Sequence, residues 1–236
     1  MTAPAIRTTV VGSYPVPEWL IALPSQQALI DATKVVFKIQ ELAGIDVIAD
    51  GELYRWDVNH PDTNGMIEYF IRPMDGIRSR VTRSDVAEFR RLEGMGFRSA
   101  PAGVVESAID EGTLSLSEDY RRARACTAHP MKFTLTGPHM LCKTLMDHHY
   151  GNLPDLAMAI GQALAKQVGE INSEVIQVDE ANITGHPDEA EWAAAAINVV
   201  LDAATQAKEK GVHMCFGNYG GQSIQRGTWQ KLIGFI

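Results

Sequence analysis

The chain has 236 residues, 45% hydrophobic and 21% charged, which excludes a disordered tail and supplies enough apolar material for a substantial core. Lys and Arg number 21 against 29 Asp and Glu; the net charge of −8 opposes a broad grip on nucleic acid or an anionic membrane surface and points to a small-molecule partner. Three cysteines (Cys126, Cys142, Cys215) without regular spacing make no disulfide framework, so each is expected as a reduced thiol or a ligand in a cytoplasmic protein.

The opening residues carry one basic side chain, Arg7, and run into Thr8-Thr9-Val10-Val11, too short and too β-branched for the apolar segment of an export signal. No run reaches the roughly 20 apolar residues of a spanning helix, since even Trp192-Ala193-Ala194-Ala195-Ala196-Ile197 is cut off by Asn198 and Asp202. Thr8–Val11 reads as a first strand ending in Gly12-Ser13-Tyr14-Pro15. From Gln26 to Ala43, Leu29, Ala32, Val36, Ile39 and Ala43 recur at three and four, one face of a helix, with Gly44 where a terminating glycine belongs. Ile45–Ala49 is the second strand, ending in Asp50-Gly51-Glu52. Residues 53–100 alternate strand and helix poorly and read as an elaborated loop insertion, with Val104-Val105 marking a third strand.

Lys132–Thr136, ending in Gly137-Pro138, is the fourth strand, and Leu156, Ile160, Leu164, Val168 and Ile171 form the apolar row of the helix after it. Glu174–Val178 leads into Asp179-Glu180, a helix runs from about Pro187 to Lys210, and Val212–Phe216 is the sixth strand. Trp229–Ile236 reads as an apolar helix that breaks off. Alternating strands and helices specify a parallel α/β sheet, either open and doubly wound or most of a barrel. Ser13, Glu52, Asp179, His213 and Cys215 all fall near carboxyl ends of strands, where such folds place ligands, and closure gathers them around one mouth. The expected architecture is therefore a TIM (β/α)8-type barrel with about six of its eight βα units present. Residues 1–236 are expected to form one such domain, incomplete at its C-terminus.

His213-Met214-Cys215 is the sharpest local signal, because residues two apart in a strand face one side and bring a nitrogen and a sulfur donor together, a combination that suits zinc. Two donors do not make a site, and an isolated His-x-Cys is more often a buried cysteine beside a satisfied histidine. Asp50, Glu52, Asp179 and Glu180 can hold an ammonium group, a cation or a proton, or serve as loop caps. Asp147-His148-His149 resembles a metal cluster, but adjacent histidines diverge on a helix. His186-Pro187-Asp188 reads as helix entry, and Trp56 and His60 as pocket lining or loop packing. No glycine-rich phosphate cradle and no Gly-x-Ser-x-Gly elbow occurs.

Thr8–Pro15, Ala43–Glu52, Phe133–Pro138, Val175–Glu180 and His213–Cys215, in that order, resemble the C-terminal catalytic barrel of the cobalamin-independent methionine synthase family and its shorter relatives. The resemblance implies a methyltransferase whose zinc lowers the pKa of the homocysteine thiol, which takes a methyl group from a methyltetrahydrofolate-like donor to give methionine. It implies His213 and Cys215 as two zinc ligands, Gly12 and Ser13 at the carboxylate of homocysteine, and Glu52 and Asp179 at its ammonium group, with Asp179 the residue expected to carry catalysis.

The family's other two zinc ligands, a Glu and a Cys, and its late histidine come from later strands, and its Pro and Arg-Glu pair are replaced by Ala181-Asn182-Ile183-Thr184-Gly185. The remaining expectations are alkyl transfer to another thiol, of the coenzyme M and epoxide type, or an inactive fragment. The open side of the sheet is expected to mean a fragment of a longer protein first, and otherwise a completing chain or a homo-oligomer that covers it.

Overall fold

A computed structural model describes residues 6–57, 64–92, 98–219, 222–223 and 226–235. After a short helix α1 (Glu18–Ala22) the main elements in chain order are α2 (Gln26–Leu42), β1 (Ile48–Ala49), α3 (Glu68–Ile71), β2 (Asp75–Arg78), α4 (Arg83–Phe89) and β3 (Gly103–Asp110). They continue with α5 (Leu116–Arg124), β4 (Met131–Thr136), α6 (Pro138–Cys142), β5 (Leu145–Asp147), α7 (Leu153–Val168), β6 (Val175–Glu180), α8 (Ala190–Ala203), β7 (Glu209–Met214), β8 (Asn218–Tyr219) and β9 (Gln222–Ser223). Among the described residues no helix is long and apolar enough to cross a membrane.

The principal sheet is parallel, in the order β1-β4-β6-β7. The Thr8–Val11 segment joins it beside β1 through a parallel bridge between Thr9 and Val47. Five segments therefore follow one another around the sheet in chain order, as in a barrel, and within the described residues they do not close a circle. Val104 and Val105 do form a strand, but β3 stands in a second sheet, antiparallel to β2 and parallel to β5. Apolar β-branched runs specify a strand without specifying its partner, which is why Val104-Val105 reads from sequence as part of the main sheet. The 53–100 segment supplies α3, β2 and α4, and β2 is the edge of that second sheet.

Helices form where the sequence supplies both a cap and an apolar row. Ser25 Oγ accepts from Ala28 N at 3.0 Å to start α2, whose Ala32, Val36 and Phe37 are buried. Asn152 caps α7 in the same way, and Leu156, Ile160, Leu164 and Val168 are fully enclosed. Gly161 lets α8 approach α7 closely, since a Cβ there would meet Ala196 O at 2.8 Å. Helix α8 ends at Ala203, short of Lys210, because Glu209 and Lys210 are drawn into β7 opposite Val175 and Ile176. The terminal apolar segment forms one 3₁₀ turn, Trp229–Leu232, with Leu232 packed on Ile183 and Ala193.

Period-two alternation divides the sheet into two faces. Met131, Phe133 and Leu135 of β4, with Ile176 and Val178 of β6, join the main apolar core. The opposite face carries Lys132, Thr134 and Thr136 from β4, Gln177 and Asp179 from β6, and His213 from β7. Barrel interiors are commonly filled with layers of Val, Ile and Leu. Here the interior row is polar: Lys132 donates to Gln177, Gln177 donates to Asp179, and Thr134 donates to Glu52.

Candidate functional site at the carboxyl ends of the strands

Parallel register sets the mouth. Thr136 lies opposite Asp179, and Asp179 opposite His213, so three neighbouring strands end level. A cavity of about 540 Å³ opens there, lined by Gly12, Ser13, Asp179, His213 and Cys215 together with Met140 and others. Five of the six residues singled out from the sequence thus share one pocket. The sixth, Glu52, is reached through Ser13, whose Oγ donates to Glu52 Oε2 at 2.6 Å.

Glu52 is held in the left-handed region at φ +60°, directly after Gly51 at φ +76°. Gly51 is required twice, by its φ and by space, because a Cβ would meet Tyr14 Cβ at 2.8 Å and Val36 Cγ1 at 2.9 Å. The turn aims the carboxylate inward, where Thr134 Oγ1 donates to Oε1 at 2.8 Å and Arg55 Nη1 lies 3.0 Å from Oε2. Burial opposes ionisation of Glu52, yet the Arg55 charge and the Ser13 and Thr134 hydroxyls together hold its pKa below the ordinary value. Among the described residues no cation forms an ion pair with Asp179. Burial raises it to about 6, partly offset by Gln177 Nε2, which donates to Oδ1 at 2.6 Å.

Ser13 commits its hydroxyl proton to Glu52. The donors left for an anionic group are the backbone N–H groups of Gly12 and Ser13, neither of which donates to another described residue.

His213 and Cys215 are both half-buried, on the same side of the chain, and their side chains are hydrogen-bonded; this bond raises the His213 pKa against the opposing effect of burial. Their donor set, one nitrogen and one sulfur, fits two positions of a tetrahedral zinc site. Among the described residues no group of three or more His, Cys, Asp and Glu side chains is arranged to hold a metal.

The other sequence signals lie elsewhere. Cys142 is buried, with Sγ donating to His139 O, and Cys126 Sγ donates to Arg122 O; neither lines the mouth. Asp147 caps a turn by accepting from the N–H groups of His149, Tyr150 and Gly151, and His148 reaches Glu88 at 3.3 Å. His186-Pro187 does open a helix, through the 3₁₀ turn Pro187–Glu189. Trp56 lines a separate surface cavity with Leu20 and Leu53, and His60 falls outside the described residues.

Arg55, Lys132, Thr134 and Gln177 belong to no catalytic or metal-ligating motif; the sequence signal for the last three is the alternation in Lys132-x-Thr134-x-Thr136 and Gln177-x-Asp179, which marks a polar face within otherwise apolar strands.

The catalytic-domain model of the cobalamin-independent synthases matches residues 6–226. The chain belongs to that family. A methionine synthase from Sulfurisphaera tokodaii is 28% identical over 232 residues, covering 92% of this chain and 63% of the relative. A methionine synthase from Thermococcus kodakarensis is 28% identical over 236 residues, covering 93% and 64%. The solved structure of a B12-independent methionine synthase from Shewanella sp. W3-18-1, in complex with selenomethionine, superimposes with a TM-score of 0.71 at 25% identity, covering 92% of this chain and 63% of that one. The fold is thus of the (β/α)8-barrel type, and the chain spans just under two thirds of the length of the relatives it matches.

Proposed function

We propose that this chain is a zinc-dependent methyltransferase of the cobalamin-independent methionine synthase type, moving a methyl group from a methyltetrahydrofolate-like donor to the thiol of homocysteine. The observation that carries the reading is the mouth itself. One cavity presents the backbone N–H groups of Gly12 and Ser13, which donate to no other described residue, the Asp179 carboxylate, and the His213–Cys215 pair, with Glu52 joined through Ser13. A zwitterionic thiol needs those three chemistries: donors for its carboxylate, acceptors for its ammonium group, and a means of keeping its sulfur deprotonated.

In this reading Gly12 and Ser13 hold the carboxylate, and Glu52 and Asp179 hold the ammonium group. His213 and Cys215 supply two of the ligands for zinc, which when bound lowers the pKa of a coordinated thiol. Asp179, raised to about 6, sits where a substrate ammonium ion restores its charge, and this orients the amino acid with its sulfur toward the His213 side. Residues 1–236 are proposed to be one barrel-type domain, with the 53–100 segment an insertion that feeds the second sheet.

The test is elemental analysis of purified 1–236 chain beside a His213→Ala/Cys215→Ala control, with calorimetric titration of homocysteine and of γ-mercaptobutyrate, which lacks the ammonium group. Near-stoichiometric zinc, lost in the control, and a clear preference for homocysteine are expected. Equal affinity for the two thiols would reassign the site to a thiol without an amino group. Absence of zinc from folded protein would withdraw the methyl-transfer reading.

A further inference from the structure

Arg55 is enclosed, with 2% of its side chain exposed, and it does not itself line the cavity at the mouth. It follows Glu52 by three residues, at the end of the 3₁₀ turn Leu53–Arg55, so the turn folds the guanidinium back over the carboxylate. Nη1 lies 3.0 Å from Glu52 Oε2, and Nη2 donates to the Thr134 carbonyl and, at 3.1 Å, to Thr134 Oγ1. Thr134 Oγ1 in turn donates to Glu52 Oε1, which closes a ring of three side chains between the β1–α3 connection and β4. The rings of Phe70, Tyr54 and Tyr69 surround the guanidinium at 5.0, 5.6 and 5.7 Å, an arrangement that suits a weakly hydrated, delocalised cation better than an ammonium group.

Counting acceptor positions shows what the ring does. A carboxylate has about four lone-pair sites. Ser13 and Arg55 fill those of Oε2 and Thr134 fills one on Oε1, so among the described residues a single position on Oε1 is left. The left-handed backbone at Glu52 is unfavourable for a residue with a side chain and persists only where neighbours hold it.

We propose that Arg55 is a positioning residue: it fixes the Glu52 carboxylate so that its one free acceptor position faces an incoming ammonium group, and it thereby sets the preference for an amino-acid thiol over a simple thiol acid. This rests on the assignment of Glu52 to the ammonium group made above. Arg55 touches no substrate in this account; it acts through Glu52.

The experiment compares homocysteine with γ-mercaptobutyrate by calorimetry on the full chain, in wild type, Arg55→Lys and Thr134→Val, with thermal unfolding of each. Arg55→Lys keeps the charge and loses the fork. It is expected to weaken homocysteine binding by about tenfold, the loss typical of one charge-assisted hydrogen bond, while γ-mercaptobutyrate binding stays within about twofold. Thr134→Val breaks the ring without touching a charge and is expected to reduce the same preference; it decides the matter if Arg55→Lys does not fold. A parallel loss for both ligands would show a purely structural residue and overturn the proposal. A wild-type preference that is unchanged in both variants would overturn it as well, leaving the role of Glu52 standing. A wild type without preference would remove the Glu52 assignment and this inference together.

Discussion

Gln177 stands between a buried lysine and a buried aspartate, accepting from Lys132 Nζ at 2.9 Å and donating to Asp179 Oδ1 at 2.6 Å. Lys132 also donates to the Val10 carbonyl at 2.6 Å, so one ammonium group ties the first segment of the sheet to β4 and β6. Burial pulls the Lys132 pKa down, and the charges of Asp179 and Glu52 partly restore it. Lys132→Met leaves the Val10 carbonyl and the Gln177 amide oxygen without that donor. A loss of about 1–3 kcal/mol in urea unfolding is expected, the range for a buried polar group left unsatisfied. A variant as stable as wild type would show that water replaces the amine.

Asp50 gives a pH dependence of unusual sign. Burial raises its pKa to about 6, against the partial relief of Arg55 and of the Glu52 N–H, which donates to Oδ1 at 2.9 Å. The unfolded group titrates near 3.8, so between pH 4 and 6 the folded chain keeps a proton that the unfolded chain has released. Stability from this residue therefore falls as pH rises through that window, by about 3 kcal/mol at most, and Asp179 acts in the same direction. Asp50→Asn keeps the acceptor for Glu52 N and abolishes the ionisation. Its stability relative to wild type, from urea unfolding, should improve between pH 4 and 7.5; a constant difference would show that Asp50 does not titrate as a buried acid.

The parts of this fold that the sequence disclosed are those with local causes. Ser25 with the row Ala32, Val36 specifies α2, and Leu156 to Val168 specifies α7, because caps and helical faces depend on residues within a few positions. The strand ends at Ser13, Glu52, Asp179 and His213 were visible for the same reason. What stayed hidden depends on register and on distant partners. Arg55 meets Thr134 across 79 positions and Lys132 meets Gln177 across 45, and no spacing rule within one strand or helix encodes either pairing. Val104 and Val105 carry a strand signal that says nothing of which sheet receives it.

Gly137 is where strand β4 turns into α6, and an added Cβ would stand 2.1 Å from Glu180 Oε1. That carboxylate accepts from His139 N and Met140 N, both at 2.9 Å, in the first turn of α6, and its side chain is fully enclosed. Gly137→Ala must displace either the carboxylate or the helix. The expected cost is at least about 2 kcal/mol in thermal or urea unfolding, through overpacking and the loss of both hydrogen bonds. A change below about 0.5 kcal/mol would mean that Glu180 has another place to go.

Glu189 gathers two buried cationic partners, accepting from Lys143 Nζ at 2.7 and 2.9 Å and lying 2.7 Å from His139 Nε2. Lys143 and His139 are almost wholly enclosed, and the glutamate is what makes the lysine tolerable there. Burial opposes protonation of His139, but the carboxylates of Glu180, 3.7 Å from Nδ1, and of Glu189, hydrogen-bonded to Nε2, outweigh it and raise its pKa above 6.5. A raised histidine stabilises the fold fully below its unfolded value, and that contribution disappears as pH climbs through the folded value. Glu189→Gln should therefore flatten the decline of stability above pH 6.5. It should also cost about 3 kcal/mol near neutral pH by stranding Lys143. Adding Lys143→Met should recover part of that loss, a coupling of about 1–3 kcal/mol in a double-mutant cycle. Strict additivity of the two substitutions would show that the lysine and the glutamate, though in contact, do not depend on one another.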